Sequence, residues 1–231
     1  VYVSDRVRAD ERCSARLIRM MQRIECDKIV EVTDDEIEEL VSRSNWTQSR
    51  RYTGTRKEGD PPIILNRHRW LSNENKTAYL RQYPQRKGRF FGFGAWGLRD
   101  RDRVAENDDI VCQSALEIHS ISGCLFKCDY CFLEEFLNIM LDLEEWSEHL
   151  QRLIEDNPWQ SLYKYDNQSD ILTFEPEYGA SDILVPMFAR RPSAWLMHYT
   201  KSDNVGHLLD LEHGGHTIVC WSLSAFTQSR L

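Results

Sequence analysis

The sequence contains no uncharged apolar run of eighteen residues or more, so it offers no transmembrane helix and no membrane partner. It opens Val-Tyr-Val-Ser-Asp-Arg, which lacks both the layout of a signal peptide and an initiator methionine. A cytoplasmic protein is expected, with a chain that is trimmed or incomplete. Its seven cysteines are odd in number and follow no paired framework, which fits a reducing compartment, with a disulfide scaffold the weaker alternative in a chain too long to need one. There is no second Cys-x-x-Cys to complete a zinc ribbon, and no zinc-finger or RNP motif to announce a nucleic-acid module. His119, His198, His207, His213 and His216 are spaced for no compact metal site and read as surface or hydrogen-bonding residues.

What is present is a core. Of 231 residues 41% are apolar and seven are tryptophan, enough for one large domain or two small ones. The net charge of −8 is uneven. From Ser42 to Arg103 fifteen Lys/Arg face five Asp/Glu, a balance of +10, which leaves −18 on the rest. Trp46, Tyr52, Trp70, Tyr79, Tyr83, Phe90, Phe91, Phe93 and Trp96 lie within that basic stretch. Basic plus aromatic composition suits phosphate neutralisation and base stacking, and equally suits a solvated linker with an ordinary core.

Periodicity predicts an α/β chain. A strand at Val1–Val3, a helix over Cys13–Ile24 and a strand at Ile29–Val32 come first. Thr33 and Glu36 form a capping box for a helix from Asp34 to Val41. The basic stretch, broken at Pro61-Pro62, is expected to be irregular. Residues 1–105 thus read as a small α/β unit plus the basic segment, and 106–231 as a second domain. There, strands are expected at Leu116–Ser120, Ile171–Phe174, Trp195–Tyr199 and Thr217–Leu223. Helices are expected between them. One is marked by Leu143, Trp146, Leu150 and Ile154 with Asp142 as N-cap; the others span Ile183–Ala189 and Val205–Leu211. Alternating strands and helices imply a parallel sheet, whose sites lie at the carboxyl ends of the strands. Glu175, Lys201 and Ser222 fall at such ends.

Cys124, Cys128 and Cys131 stand in Gly-Cys-Leu-Phe-Lys-Cys-Asp-Tyr-Cys-Phe-Leu. Three thiolates can hold three irons of a [4Fe–4S] cluster and leave the fourth open to a small molecule, whereas electron-carrying clusters take four. A zinc site would need a fourth ligand, for which Asp129 is poorly placed. Cys13, Cys26 and Cys112 read as structural or incidental.

The Cys-x3-Cys-x2-Cys run after the first strand of a β/α series resembles the signature of the radical S-adenosylmethionine (SAM) superfamily. The chain is more specifically similar to the spore photoproduct lyase family, on several short matches in order. These are Val1–Val7, Lys87-Gly88-Arg89-Phe90, Cys124–Leu133 with Tyr130, Phe174-Glu175 with Ser181-Asp182-Ile183, Tyr199-Thr200-Lys201 through His207-Leu208-Leu209, and Trp221-Ser222-Leu223. The resemblance implies a partial (β/α) barrel behind the small N-terminal α/β domain. It implies a [4Fe–4S] cluster on Cys124, Cys128 and Cys131, and S-adenosyl-L-methionine held by Ser181, Lys201 and Ser222. Reductive cleavage of SAM would give a 5′-deoxyadenosyl radical that takes hydrogen from a thymine-derived base in DNA. An electron donor such as flavodoxin or ferredoxin would supply the electron.

The chain departs from the family in three places. No cysteine stands among Pro176, Glu177, Tyr178, Gly179 and Ala180, where the family keeps its hydrogen donor. Phe132 replaces one tyrosine of the family's relay, leaving Tyr130. The chain reaches Leu231 after the fourth expected strand, so a further C-terminal part or a partner chain is expected. Tyr178 could donate instead, and so could Cys220, which shares a strand face with Ser222 and Ser224. A radical isomerase acting on hypermodified thymine in phage DNA would need no donor, and Glu177 could then hold an amine. In a different class, the chain would be a DNA-binding protein whose cluster is structural or redox-sensing.

Overall fold

The computed structural model describes residues 1–44, 62–84, 97–99, 115–126, 128, 131, 133 and 136–223. In chain order the strands are β1 (Tyr2–Ser4), β2 (Val30–Val32), β3 (Ile63–Asn66), β4 (Gly97–Arg99), β5 (Ala115–Glu117), β6 (Ile121–Ser122), β7 (Leu137–Met140), β8 (Leu162–Tyr165), β9 (Trp195–Thr200) and β10 (Thr217–Trp221). The helices are α1 (Asp5–Arg8), α2 (Glu11–Met21), α3 (Asp34–Ser44), α4 (Asn73–Gln82), α5 (Leu143–Asp156) and α6 (Ala180–Ala189), with 3-10 turns at Ile171–Phe174 and Gly206–Asp210. The chain forms two interleaved compact units. The first takes 1–95, 120–142 and 223–231, and the second 96–119 and 143–222. No helix among the described residues is long and apolar enough to cross a membrane.

The first unit carries a sheet in the order β2-β1-β3-β7-β6. Its first four strands are parallel, and β6 runs antiparallel to β7. The capping box forms as expected: Thr33 N–H donates to Glu36 Oε2 at 2.7 Å, and Glu36 N–H to Thr33 Oγ1 at 3.4 Å. Helix α3 then lays Ile37 and Val41 on Val32, Ile64 and Phe136. Helix α2 buries Cys13, Leu17 and Met20, and its N-cap Asp10 accepts from Cys13 N–H at 3.0 Å. Burial pushes the Cys13 thiol up to about 12, which makes it an inert core residue. The basic stretch is not wholly irregular. Ile64 and Leu65, both fully buried, make β3 a central strand between β1 and β7, and α4 follows it. An apolar pair buried on both faces outweighs the surrounding charge. Trp46, Tyr52 and Phe90–Trp96 lie outside the described residues.

The carboxyl edge of this sheet is sealed by its own polar side chains. The Arg6 guanidinium donates to the carbonyls of Arg67 at 2.5 Å and His68 at 3.3 Å, and to Asn66 Oδ1 at 3.2 Å. Asn66 Nδ2 donates to Asn138 Oδ1 at 3.3 Å. Buried Arg16 donates to the Leu141 carbonyl. His68 meets Asp142 twice, through its backbone N–H at 3.0 Å and its ring Nδ1 at 2.8 Å. Burial opposes the Asp142 charge, yet His68 holds its carboxyl down to about 2. Asp142 therefore precedes α5 as expected, but its carboxylate serves His68.

The second unit carries the sheet β10-β9-β8-β5-β4, parallel from β10 to β5 with β4 antiparallel at the edge. One face is covered by helices: Trp146 of α5 packs on Tyr165 at 5.5 Å, and Phe188 of α6 on Tyr163 at 5.4 Å. Leu143, Trp146, Leu150 and Ile154 are the buried stripe expected of α5. One strand differs from expectation. Ile171–Phe174 is a 3-10 turn, and the strand between β5 and β9 is β8, Leu-Tyr-Lys-Tyr. All four residues of β8 are buried, so no alternation marks it, and a four-residue apolar run such as Ile171–Phe174 suits a turn as well as a strand. The segment Val205–Leu211 is likewise a 3-10 turn.

Candidate functional site

In the first unit the cysteine loop joins β6 to β7 as a hairpin, with Ile121 paired to Ile139 and Ser122 to Asn138. The expected strand Leu116–Ser120 is instead β5, in the other sheet, followed by β6, which enters the loop. Gly123 closes the neck at φ +87°, and a Cβ there would lie 1.7 Å from the Phe136 carbonyl oxygen. Only glycine fits that position. Cys124, Cys128 and Cys131 form no disulfide and are each half-buried, and Cys131 N–H donates to the Cys128 carbonyl at 3.0 Å. Among the described residues no three Cys, His, Asp or Glu converge on a single-ion site. Three cysteines in no disulfide, on one loop anchored at Gly123, are the residues of this unit that could hold a metal or a cluster. Tyr130 lies outside the described residues.

In the second unit Lys201 and Ser222 meet. Ser222 N–H extends the β9–β10 ladder to the Thr200 carbonyl at 2.8 Å, and Lys201 Nζ donates to the Ser222 carbonyl at 3.0 Å. Both stand at the carboxyl ends of parallel strands. Asp170, 4% exposed, fixes this corner: its carboxylate accepts from Thr200 Oγ1 and from Lys201 N–H, each at 2.7 Å. Burial raises the Asp170 carboxyl above its ordinary value, against the pull of those donors.

Ser181 stands in the first turn of α6. Its backbone N–H donates to Glu175 Oε1 at 2.8 Å, and Gly179 N–H to Oε2 at 2.9 Å. Glu175 thus holds the start of α6, a capping role that burial accompanies by raising its carboxyl. It follows a turn, not the strand expected there.

Sequence reasoning missed Ser169 and Asp170. The tetrapeptide Ser-Asp-Ile-Leu occurs twice, at 169–172 and 181–184, and the duplication was the available signal. Strand pairing separates the copies: only the first follows β8 and binds the Lys201 corner. The Ser169 hydroxyl is buried without a partner among the described residues.

Tyr178 is fully buried. Glu177 is half-buried and lies with Asp182 near His207, whose ring burial holds below its ordinary value against the pull of the two carboxylates. Cys220 is half-buried and pairs in register with Tyr199, on the same face as Ser222. His119 bonds Asp166 and His216 bonds the Ala194 carbonyl, as hydrogen-bonding residues should. His198 differs from expectation. It is fully buried behind the sheet, and neither ring nitrogen has a partner among the described residues. Burial first, and the charge of His207 second, bring it down to about 4, so it is neutral.

No family model and no curated protein matches the sequence. Solved structures of spore photoproduct lyase do match in shape. The enzyme complexed with dinucleoside spore photoproduct aligns with a TM-score of 0.59 at 15% identity. A double mutant with bound AdoMet and dinucleoside spore photoproduct aligns at 0.60 and 15%. Each alignment covers 96% of this chain and 55% of the other, so the chain spans about half the length of the structures it matches. At that identity the likeness speaks to architecture: the chain is an α/β protein with parallel sheets, similar in fold to the radical SAM enzyme spore photoproduct lyase.

Proposed function

We propose that this chain is a radical SAM enzyme acting on thymine-derived bases in DNA, in the manner of the photoproduct lyases. The observation that carries the reading is the coincidence of three cysteines, in no disulfide, on the β6–β7 hairpin with a fold similar to that of a lyase solved with AdoMet. Cys124, Cys128 and Cys131 would hold a [4Fe–4S] cluster, which when bound supplies one-electron reduction of SAM to methionine and a 5′-deoxyadenosyl radical. The Lys201 ammonium suits a carboxylate as a point charge, and Asp170 keeps its backbone in place. Ser222 stands beside it, and Ser169 offers a buried hydroxyl at the same corner; Ser181 is the alternative hydroxyl. Tyr178 and Cys220 are the hydrogen-donor candidates, with Tyr130 the remaining tyrosine of the relay. A base in duplex DNA would have to leave the stack to be acted on.

A second reading is a radical isomerase or base-modifying enzyme. The observation that favours it is the run Pro176–Ala180, which lacks the donor cysteine and presents Glu177. An electron donor such as flavodoxin or ferredoxin belongs to both readings. Anaerobic reconstitution tests them. Reduced protein should release 5′-deoxyadenosine from SAM, and Cys124→Ala, Cys128→Ala and Cys131→Ala should each lose cluster absorption and release together. A reconstituted protein that releases none is a DNA-binding protein with a structural or redox-sensing cluster at most. Mass spectrometry of ultraviolet-irradiated and hypermodified DNA separates repair from modification.

A further inference from the structure

Four ionisable side chains of the second unit stand together on one face of its sheet. The β5–β8 register sets Glu117 beside Lys164, and Ile118 N–H donates to the Lys164 carbonyl at 2.9 Å, carrying the ladder one step further. His119 therefore stands beside Asp166, and residues two apart share a face. The result is a square of alternating charge. His119 Nδ1 meets Asp166 Oδ1 at 2.5 Å, and its Nε2 lies 3.8 Å from Glu117 Oε2. Lys164 Nζ lies 3.7 Å from Glu117 Oε1 and 4.4 Å above the Tyr199 ring. Asn167 Nδ2 supports Glu117 Oε1 at 2.6 Å. The face is opposite the one covered by α5 and α6, since its neighbours in register are Met197 and Tyr199 rather than Leu196 and His198.

These side chains are between 0% and 13% exposed. Burying charge is costly even when paired, and apolar residues of similar size would pair two strands as well. Asp166 Oδ2, on a residue 1% exposed, has no partner among the described residues. A buried polar group of that kind calls for an explanation beyond the fold.

With His119 protonated the square carries no net charge. Its carboxylates disfavour a phosphate, and its ammonium disfavours a cation. What it offers in sequence is a donor, an acceptor and a donor: Lys164 Nζ, the Glu117 carboxylate and His119 Nε2–H. The complement is acceptor, donor, acceptor, which is the carbonyl–N–H–carbonyl edge of an imide. We propose that Glu117, flanked by Lys164 and His119 and steadied by Asp166 and Asn167, reads the imide edge of a thymine- or uracil-type base and rejects cytosine. Cytosine would set a ring-nitrogen lone pair against the Glu117 carboxylate and an amino group against one of the flanking donors. The proposal rests on the reading of the chain as an enzyme of DNA bases and names the residues that choose the base.

Tryptophan-fluorescence titration tests it, with thymidylyl-thymidine, its N3-methylated analogue and deoxycytidylyl-deoxycytidine as probes. The wild-type protein should bind the first at least about 10-fold more tightly than the other two, the scale of a buried polar group left unpaired. Glu117→Gln should erase that ratio, because its amide can turn a donor toward a lone pair. Lys164→Met should weaken thymidylyl-thymidine without strengthening the others. Equal affinity of the wild type for the three probes, or no binding of any, overturns the proposal, and neither result depends on a variant folding. Unchanged selectivity in a folded Glu117→Gln overturns it as well. Release of 5′-deoxyadenosine by the wild type reports separately on the enzyme reading, so each can fail without the other.

Discussion

The two units treat the polar residues around their sheets in opposite ways. At the carboxyl edge of the first sheet Arg6, Asn66, Asn138, His68 and Asp142 bond one another and the backbone within that unit. In the second unit the charged residues line the face opposite the helices and the carboxyl corner, while the face under the helices is aromatic and aliphatic. The same chemistry is a latch in one place and, by the proposal above, a base-reading face in the other. The contrast is sharpest in two buried imidazoles: His68 is paired with a carboxylate, and His198 has no partner among the described residues.

The largest test of that contrast is Asp142→Ala. Removing one partner of a buried pair costs about 3–5 kcal/mol, so the urea midpoint should fall steeply. A variant as stable as wild type would break the idea of a latch. Acid is the next lever. His198 falls from 6.5 to about 4 on folding, so the unfolded chain binds its proton first and stability is lost as pH drops from 6.5 toward 4. At about 1.4 kcal/mol per pH unit the loss approaches about 3 kcal/mol, and His198→Phe should remove that dependence. Asp142 behaves later: with its folded value near 2, its contribution holds above about pH 4 and is lost between there and pH 2. Urea midpoints at pH 7, 5, 4 and 2, for wild type and His198→Phe, would show the two steps in that order or refute them.

Smaller effects separate function from stability. Lys201→Met should change stability by at most about 0.5 kcal/mol, as befits a partly exposed side chain. It should weaken SAM binding by roughly 10- to 100-fold, the worth of a charged hydrogen bond of about 1.5–3 kcal/mol, measured by equilibrium dialysis. A large loss of stability, with unchanged SAM affinity in the protein that remains folded, would place Lys201 with the latches. The smallest expected effect is Thr33→Ala, which removes the capping box of α3 and should cost about 1 kcal/mol without touching SAM or nucleoside binding.

How much of this was legible in the sequence depended on whether a signal was local. The capping box at Thr33, the stripe of α5 and the strands β1, β9 and β10 rest on spacing along the chain and were readable. The strand β8 was not, because burial on both faces erases alternation and Lys164 interrupts the apolar run. Without β8, the second copy of Ser-Asp-Ile-Leu was the one read as the site, although the first stands at the Lys201 corner. Cys124, Cys128 and Cys131 stand out in the sequence because their spacing is itself the signal. The square of Glu117, His119, Lys164 and Asp166 was out of reach, since it exists only once β5 and β8 are set in register.

The neck of the cysteine loop has a consequence for how such a chain can change. At Gly123 the space of a side chain is already taken by the Phe136 carbonyl, so this position has no neutral substitutions. The loop that follows hangs from a fixed doorway, and within it Cys124, Cys128 and Cys131 carry the proposed chemistry. A saturation library across 123–136, scored for folding and for cluster content, should therefore return an uneven map, with folding lost at the hinge and cluster content alone lost at the three cysteines. Selection could retune what the loop holds while the scaffold beneath it stays as it is.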